Sequence, residues 1–189
     1  MVAAFPLDGL SFVKNDAFSL EDARGQVLVV EFWATWCPPC RESIPHLTEL
    51  QAKYMGDVRF LGISAESVDT VRSFVAQQGT NMDYWVAADP SRQVTSQYMQ
   101  HFQARGIPMA VLIGANGEMV GKFHPAEPDF ETKLQAEIAK RYQVLANLPE
   151  SELMQKRVGE LKKIMRAVGA SGRNIVEKRD MVAAIKASL

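Results

Sequence analysis

Apolar positions recur along this chain with two distinct periods, and these mark out its elements. Val27-Leu28-Val29-Val30-Glu31-Phe32-Trp33 is apolar nearly throughout and β-branched at its start, the pattern of a buried strand. Beyond it, Ile44, Leu47, Leu50 and Tyr54 recur at three- and four-residue steps and predict a helix. Val58–Ser64 reads as the next strand. Val71, Phe74 and Val75 mark a helix that Ser67 or Asp69 caps and Gly79 ends. Residues 84–89 read as a third strand stopped by Pro90, and 93–102 as a further helix. Strands alternating with helices in this way should be parallel, joined by right-handed crossovers.

Hairpins are expected at the flanks. Leu10, Phe12 and Val13 precede an Asn15-Asp16 turn, with Phe18 and Leu20 beyond it, and predict an opening hairpin. Ser19 can cap a short turn before Gly25. Asn116-Gly117 is a two-residue hairpin signal joining residues 109–115 to 118–124. Phe130, Leu134, Ile138 and Leu145 then share one helical stripe, as packing on the sheet requires.

Both cysteines fall where the central strand meets the first helix. In Cys37-Pro38-Pro39-Cys40, Cys37 would be the N-cap, the prolines N1 and N2, and Cys40 N3. A helix N-terminus carries partial positive charge and free N–H groups, which favour a thiolate at Cys37. The thiolate is the nucleophile of disulfide exchange. Cys37 is therefore the expected attacker, and Cys40, one turn in and more buried, the resolving cysteine. The prolines remove two donors and keep the effect moderate. A structural disulfide and half of a zinc site are the plain alternatives. A tetrahedral zinc site needs four N or S ligands. The chain has only these two cysteines, and His46, His101 and His124 bring neither a partner cysteine pair nor tight spacing.

Glu31-Phe32-Trp33-Ala34-Thr35-Trp36-Cys37-Pro38-Pro39-Cys40-Arg41 resembles the active site of the thioredoxin superfamily, and its Cys-Pro-Pro-Cys the TlpA/ResA-like branch. The resemblance covers roughly residues 8–146. It implies an α/β thioredoxin-like fold, a central mixed β-sheet flanked by helices, with an inserted strand–helix unit before residue 102. It also implies a thiol–disulfide oxidoreductase, acting as a protein-disulfide reductase through a mixed disulfide at Cys37. The Cys37–Cys40 disulfide would be the redox group, with no metal and no other cofactor. Glu31 matches a buried acid that helps deprotonate the second cysteine, and burial should raise its own pKa. Pro108, in Arg105-Gly106-Ile107-Pro108-Met109, matches a cis proline beside the sulfurs. Ile107 before it would offer its backbone to an extended substrate, as an added strand. Trp36 would shape the apolar surround, and Met109, where relatives carry Thr, would make the groove more apolar. The implied partners are protein disulfide substrates and an upstream electron donor.

Two other functional classes stay open on the sequence. A thiol peroxidase of this fold needs Pro-x-x-x-Thr/Ser-x-x-Cys; Thr35 lies near Cys37, but the upstream proline is missing. A binding or scaffold module would instead use the C-terminal region to recruit a partner.

Composition places the chain among ordinary globular proteins: 189 residues, 47% hydrophobic, 23% charged, net charge −1. No apolar run approaches the length of a membrane span. Met1-Val2-Ala3-Ala4-Phe5-Pro6 lacks the basic region and apolar core of a signal peptide. With both cysteines in one CxxC, none is left for a disulfide framework, so a cytoplasmic monomer is expected. Charge is uneven: residues 148–189 are net basic and the rest net acidic, which places a domain boundary near 147. The expected domains are 1–147 and 148–189. In the second, Val158, Leu161, Ile164, Met165 and Val168 predict one helix, and Met181, Val182 and Ile185 another, joined by a loop over 169–174. This all-α hairpin resembles the SAP-like domain of mesencephalic astrocyte-derived neurotrophic factor. That domain's own CxxC falls here on Gly172 and Ile175, so no second redox site is implied. The basic excess is small and has no aromatic platform, which argues against nucleic acid; a solvated helix face is the plain reading, with docking of a protein partner the next.

Overall fold

In the computed structural model, which describes residues 2–170 and 177–189, β3 (Val27–Trp33) lies inside a seven-stranded sheet. The order across the sheet is β1 (Val2–Ala3), β7 (Glu118–Phe123), β6 (Met109–Ile113), β3, β4 (Val58–Ser64), β5 (Trp85–Ala88) and β2 (Ser11–Lys14). β3 runs parallel to β4, and β4 to β5; the other pairings are antiparallel. The sheet is therefore mixed. All of β3 is buried, as a strand paired on both sides and covered on both faces must be.

Strand alternation assigns the two faces. One carries Leu28, Val30 and Phe32 with Leu61, Ile63, Val111 and Ile113, closed by Val94 and Tyr98 of α3 (Gln93–His101). The other carries Val29, Glu31 and Trp33, and it lies under α1 (Pro38–Lys53) and α2 (Val68–Gln78). Phe74 of α2 meets the Trp33 ring at 5.2 Å. Thr48 of α1 donates to the Asn81 carbonyl (2.7 Å) and accepts the Asp83 N–H (3.0 Å). Ser67 caps α2 and Gly79 ends it, both as expected.

Gln51 completes the sheet from outside it. β5 pairs with β4 only from Leu61 onward, which leaves the start of β4 without that neighbour. The buried Gln51 amide takes its place, accepting the Phe60 N–H (2.9 Å) and donating to the Val58 carbonyl (3.3 Å).

Three expectations change. The opening hairpin does not form. β2 pairs with β5 instead, Phe12 opposite Ala87, because the free edge of β5 offers a full ladder. Asn15 does turn the chain, with φ 63°, but Phe18 goes to the core beside Phe12 and Trp85. The β6–β7 loop has four residues, 114–117, rather than two. Gly114 N–H bonds the Glu118 carbonyl, and Gly117, at φ 81°, takes the left-handed position that Asn116 does not. Lastly, the stripe on α4 (Phe130–Ala146) does not serve the sheet alone. A 17-residue helix is about 25 Å long, and the chain's compact units, Met1–Leu134 and Gln135–Leu189, divide within it. Phe130 and Leu134 fall in the first unit; Ile138 and Leu145 pack in the second.

That second unit adds α5 (Glu150–Leu153), α6 (Val158–Ala167) and α7 (Lys178–Ala187). Its core joins Tyr142 and Ala146 of α4 to Leu153, Leu161, Ile164, Met181, Val182 and Ile185. The apolar faces of α6 and α7 are thus buried with the end of α4, and the hairpin is part of a larger helical cluster. The Lys186 ammonium donates to the Ala146 and Leu148 carbonyls (3.2 and 2.6 Å), satisfying the C-terminus of α4. Gly172, Ile175 and most of the expected 169–174 loop lie outside the described residues. Among the described residues, no helix is long and apolar enough to cross a membrane.

Replacing Gln51 by Leu should cost about 1–3 kcal/mol, since it leaves the Phe60 N–H buried and unpaired. Urea unfolding checks this; an unchanged midpoint would contradict the bridging role.

Candidate active site

The site begins with how α1 starts. Cys37 is extended (φ −94°, ψ 104°) and is the N-cap, Pro38 and Pro39 are N1 and N2, and the helix runs on to Lys53. Proline has no N–H to leave unsatisfied at the first helical positions. The Cys40 N–H is thus the first free donor, and it points at Cys37 Sγ, 3.3 Å away. The two sulfurs are joined as a disulfide. Both cysteines are buried, Cys37 at 3% exposure and Cys40 at 0%, while Trp36 just before them stands 69% exposed.

The Ile107–Pro108 peptide is cis, and it approaches the same sulfur. Cys37 Sγ lies 3.9 Å from the Ile107 carbonyl oxygen. Antiparallel pairing of β6 with β3, Met109 opposite Phe32, carries residues 107–108 to the end of β3 where the motif begins. Met109 itself is buried in the core cluster with Val30 and Val111, so it does not line a groove. The structure therefore brings Cys37, Cys40, Ile107 and Pro108 together, with Trp36 exposed at the rim.

Glu31 is separate from this surface. It sits within β3, 2% exposed, and neither carboxylate oxygen finds a hydrogen-bond partner among the described residues. Burial raises its pKa from 4.5 to about 8. His124 is exposed, and its Nδ1 accepts the Ala126 N–H (3.2 Å). It borders a cleft of about 410 Å³ shared with Pro39, Ser43 and His46 of α1.

One residue the sequence did not single out is Glu66. Its carboxylate accepts the Thr35 N–H (2.8 Å), the Thr35 hydroxyl (2.7 Å) and the Ser64 hydroxyl (2.8 Å). It thereby holds the turn that leads into Cys37. The signal was topological: Glu66 follows β4, whose carboxyl end lies beside that of β3, where open α/β sheets place their sites.

Glu31 makes a testable contribution to stability. A carboxyl whose pKa is raised on folding keeps its proton in the native state while the unfolded chain loses it. Stability then falls as pH rises from about 4.5 to about 8 and levels off above. Glu31→Gln should remove this fall, gaining on the order of a few kcal/mol over the parent at pH 8. Urea unfolding across the pH range reads it, and parallel curves for the two proteins would contradict it.

Comparison with known proteins finds thiol-disulfide oxidoreductases among those this chain is similar to. The chain is 31% identical over 110 residues to the thiol-disulfide oxidoreductase ResA of Bacillus thuringiensis, covering 57% of this chain and 60% of that one. It is 28% identical over 103 residues to the thioredoxin-like protein YneN of Bacillus subtilis, covering 47% and 61%. The chain thus spans about 60% of the length of the curated relatives it matches. Among solved structures, a thiol:disulfide interchange protein of the thioredoxin family from Chlorobium tepidum superposes with TM-score 0.58 at 27% identity, over 72% of this chain and 96% of that one. The fold is thioredoxin-like, as the motif implied. The profile of the AhpC/TSA family matches residues 3–122, from β1 into β7 and across both cysteines, and the chain belongs to that family.

Proposed function

We propose that this protein is a thiol–disulfide oxidoreductase that reduces disulfides in other proteins. The observation that carries the reading is the Cys37–Cys40 pair at the start of α1, with Cys37 Sγ facing both the Cys40 N–H and the Ile107 carbonyl. The N-cap position favours a thiolate at Cys37 in the reduced protein. That thiolate attacks one sulfur of the substrate disulfide; the other sulfur leaves as a thiolate and takes a proton from water. The substrate, now bonded to Cys37, lies along the Ile107 backbone beside the exposed Trp36. Cys40 then gives up its proton, relayed through water to the Glu31 carboxylate, and attacks Cys37 Sγ. The second substrate sulfur leaves as a thiolate and takes a proton from water, and the Cys37–Cys40 disulfide remains. Two electrons have gone to the substrate, and an upstream dithiol donor returns them. On this reading the basic C-terminal unit would dock a protein partner.

A peroxidase would use Thr35 beside the attacking cysteine. Here both the Thr35 N–H and hydroxyl are directed to Glu66, which favours the reductase reading.

The variants separate the steps. Cys37→Ser should abolish reduction of an insulin-type disulfide, and Cys40→Ser should accumulate a mixed disulfide visible on a non-reducing gel. With Glu31 titrating near 8, the Cys40 step should speed up as pH rises through that value. Glu31→Gln should slow it on the order of a hundredfold. Full turnover by Cys37→Ser would overturn the assignment.

A further inference from the structure

Glu31 is buried in an unusual setting. On the sheet its lateral neighbours are Gly62 of β4 and Ala110 of β6, the two smallest side chains available. A larger residue at either position would fill the space beside the carboxylate. At Gly62 the space is already defined: a Cβ there would lie 3.0 Å from Trp33 Nε1 and 3.2 Å from Tyr84 Cε2. The indole and the phenol therefore both close on the Gly62 backbone. Trp33 shares Glu31's face of β3, two residues on.

These three side chains share a second property. Glu31 Oε1 and Oε2, Trp33 Nε1 and Tyr84 Oη are all buried, and none has a hydrogen-bond partner among the described residues. Tyr84 is 0% exposed and Trp33 2%. Buried polar groups normally find partners, and a cluster that does not calls for a functional account. The complement is chemical as well as spatial. A carboxylate only accepts, an indole N–H only donates, and a phenol does either. A bridging water is stable where two to four polar groups surround it, which these three supply.

We propose that Tyr84 and Trp33, brought together over Gly62, form a hydrogen-bonding pocket for the Glu31 carboxylate, completed by one buried water, and that Tyr84 is the residue positioning Glu31 as proton acceptor for Cys40. The proposal rests on the reading of Glu31 in disulfide exchange, but its structural half stands apart from it. Tyr84 in turn feels Glu31: burial first, and the Glu31 charge second, hold its pKa well above the ordinary phenol value. It stays a neutral donor throughout the working range. Gly62 and Ala110 bring no charge from the flanking strands, and burial accounts for the shift at Glu31.

The test is the ionisation of Glu31 in the oxidised protein, followed by carbon NMR of the labelled carboxyl in the parent and in Tyr84→Phe, which removes one oxygen and keeps the ring. A donor to the charged form lowers an acid's pKa, so its loss should move the Glu31 midpoint up by about one pH unit or more. The pH profile of the Cys40 step should move up with it. Gly62→Ala, which puts a methyl group into the pocket, should shift the midpoint in the same direction. An unchanged midpoint in folded Tyr84→Phe would overturn the proposal. Should that variant not fold, infrared difference spectra of the parent decide: the Tyr84 C–O band shifts as Glu31 ionises if they share the network, and stays fixed if they do not. If Glu31→Gln left the Cys40 step untouched, the proton-acceptor reading would fail, while the midpoint in Tyr84→Phe would still judge the pocket.

Discussion

The junction of β3 and α1 is the constraint on which the rest depends. A buried strand ends, and within four residues a helix begins with two prolines that have no N–H to offer. Cys37 is left as the N-cap and the Cys40 amide as the first donor to reach it. Strand pairing then delivers the remaining parts. β6, antiparallel to β3, brings Ile107 and Pro108 alongside Cys37; β4, parallel to β3, brings Ser64 and Glu66 to brace Thr35. Remove the sheet register and the cysteines would still form a disulfide, but without a carbonyl beside it or a fixed approach.

The same strand carries the main energetic cost. A buried carboxyl with no hydrogen-bond partner among the described residues is expensive, and the native state accommodates it by holding the proton up to about pH 8. That cost fits a group needed as an acid–base participant near neutral pH, where a surface glutamate would be permanently ionised. The small residues beside it, Gly62 and Ala110, forgo packing that larger side chains would have supplied. Polar groups elsewhere in the unit are paired, as in the Gln51 bridge to β4 and the Thr48 contacts beyond it.

Much of this was legible in the residues themselves. The apolar run into Cys-Pro-Pro-Cys specified strand, cap and helix, since proline chemistry allows few other arrangements. Ile107-Pro108 was legible only through resemblance, because no local pattern places a distant proline beside a sulfur. What escaped is non-local. The partner of β2 is chosen by an open sheet edge more than seventy residues away, not by the Asn15 turn. Gln51 on its helix and Glu66 after its strand look like ordinary polar positions until the neighbouring backbone is in place. Tyr84 reads as one more apolar strand residue, and only the glycine opposite Glu31 gives its hydroxyl a meaning.

The proposed reductase uses Cys37 and Cys40 as a two-electron pair. A redox titration against glutathione buffers, followed by tryptophan fluorescence beside the site, tests it most directly. One reversible two-electron transition is expected, lost in Cys40→Ser, with a potential toward the reducing end of the family range, near about −270 mV. A midpoint near about −120 mV would make the protein an oxidant and contradict the direction proposed here. No two-electron transition at all would contradict the assignment itself.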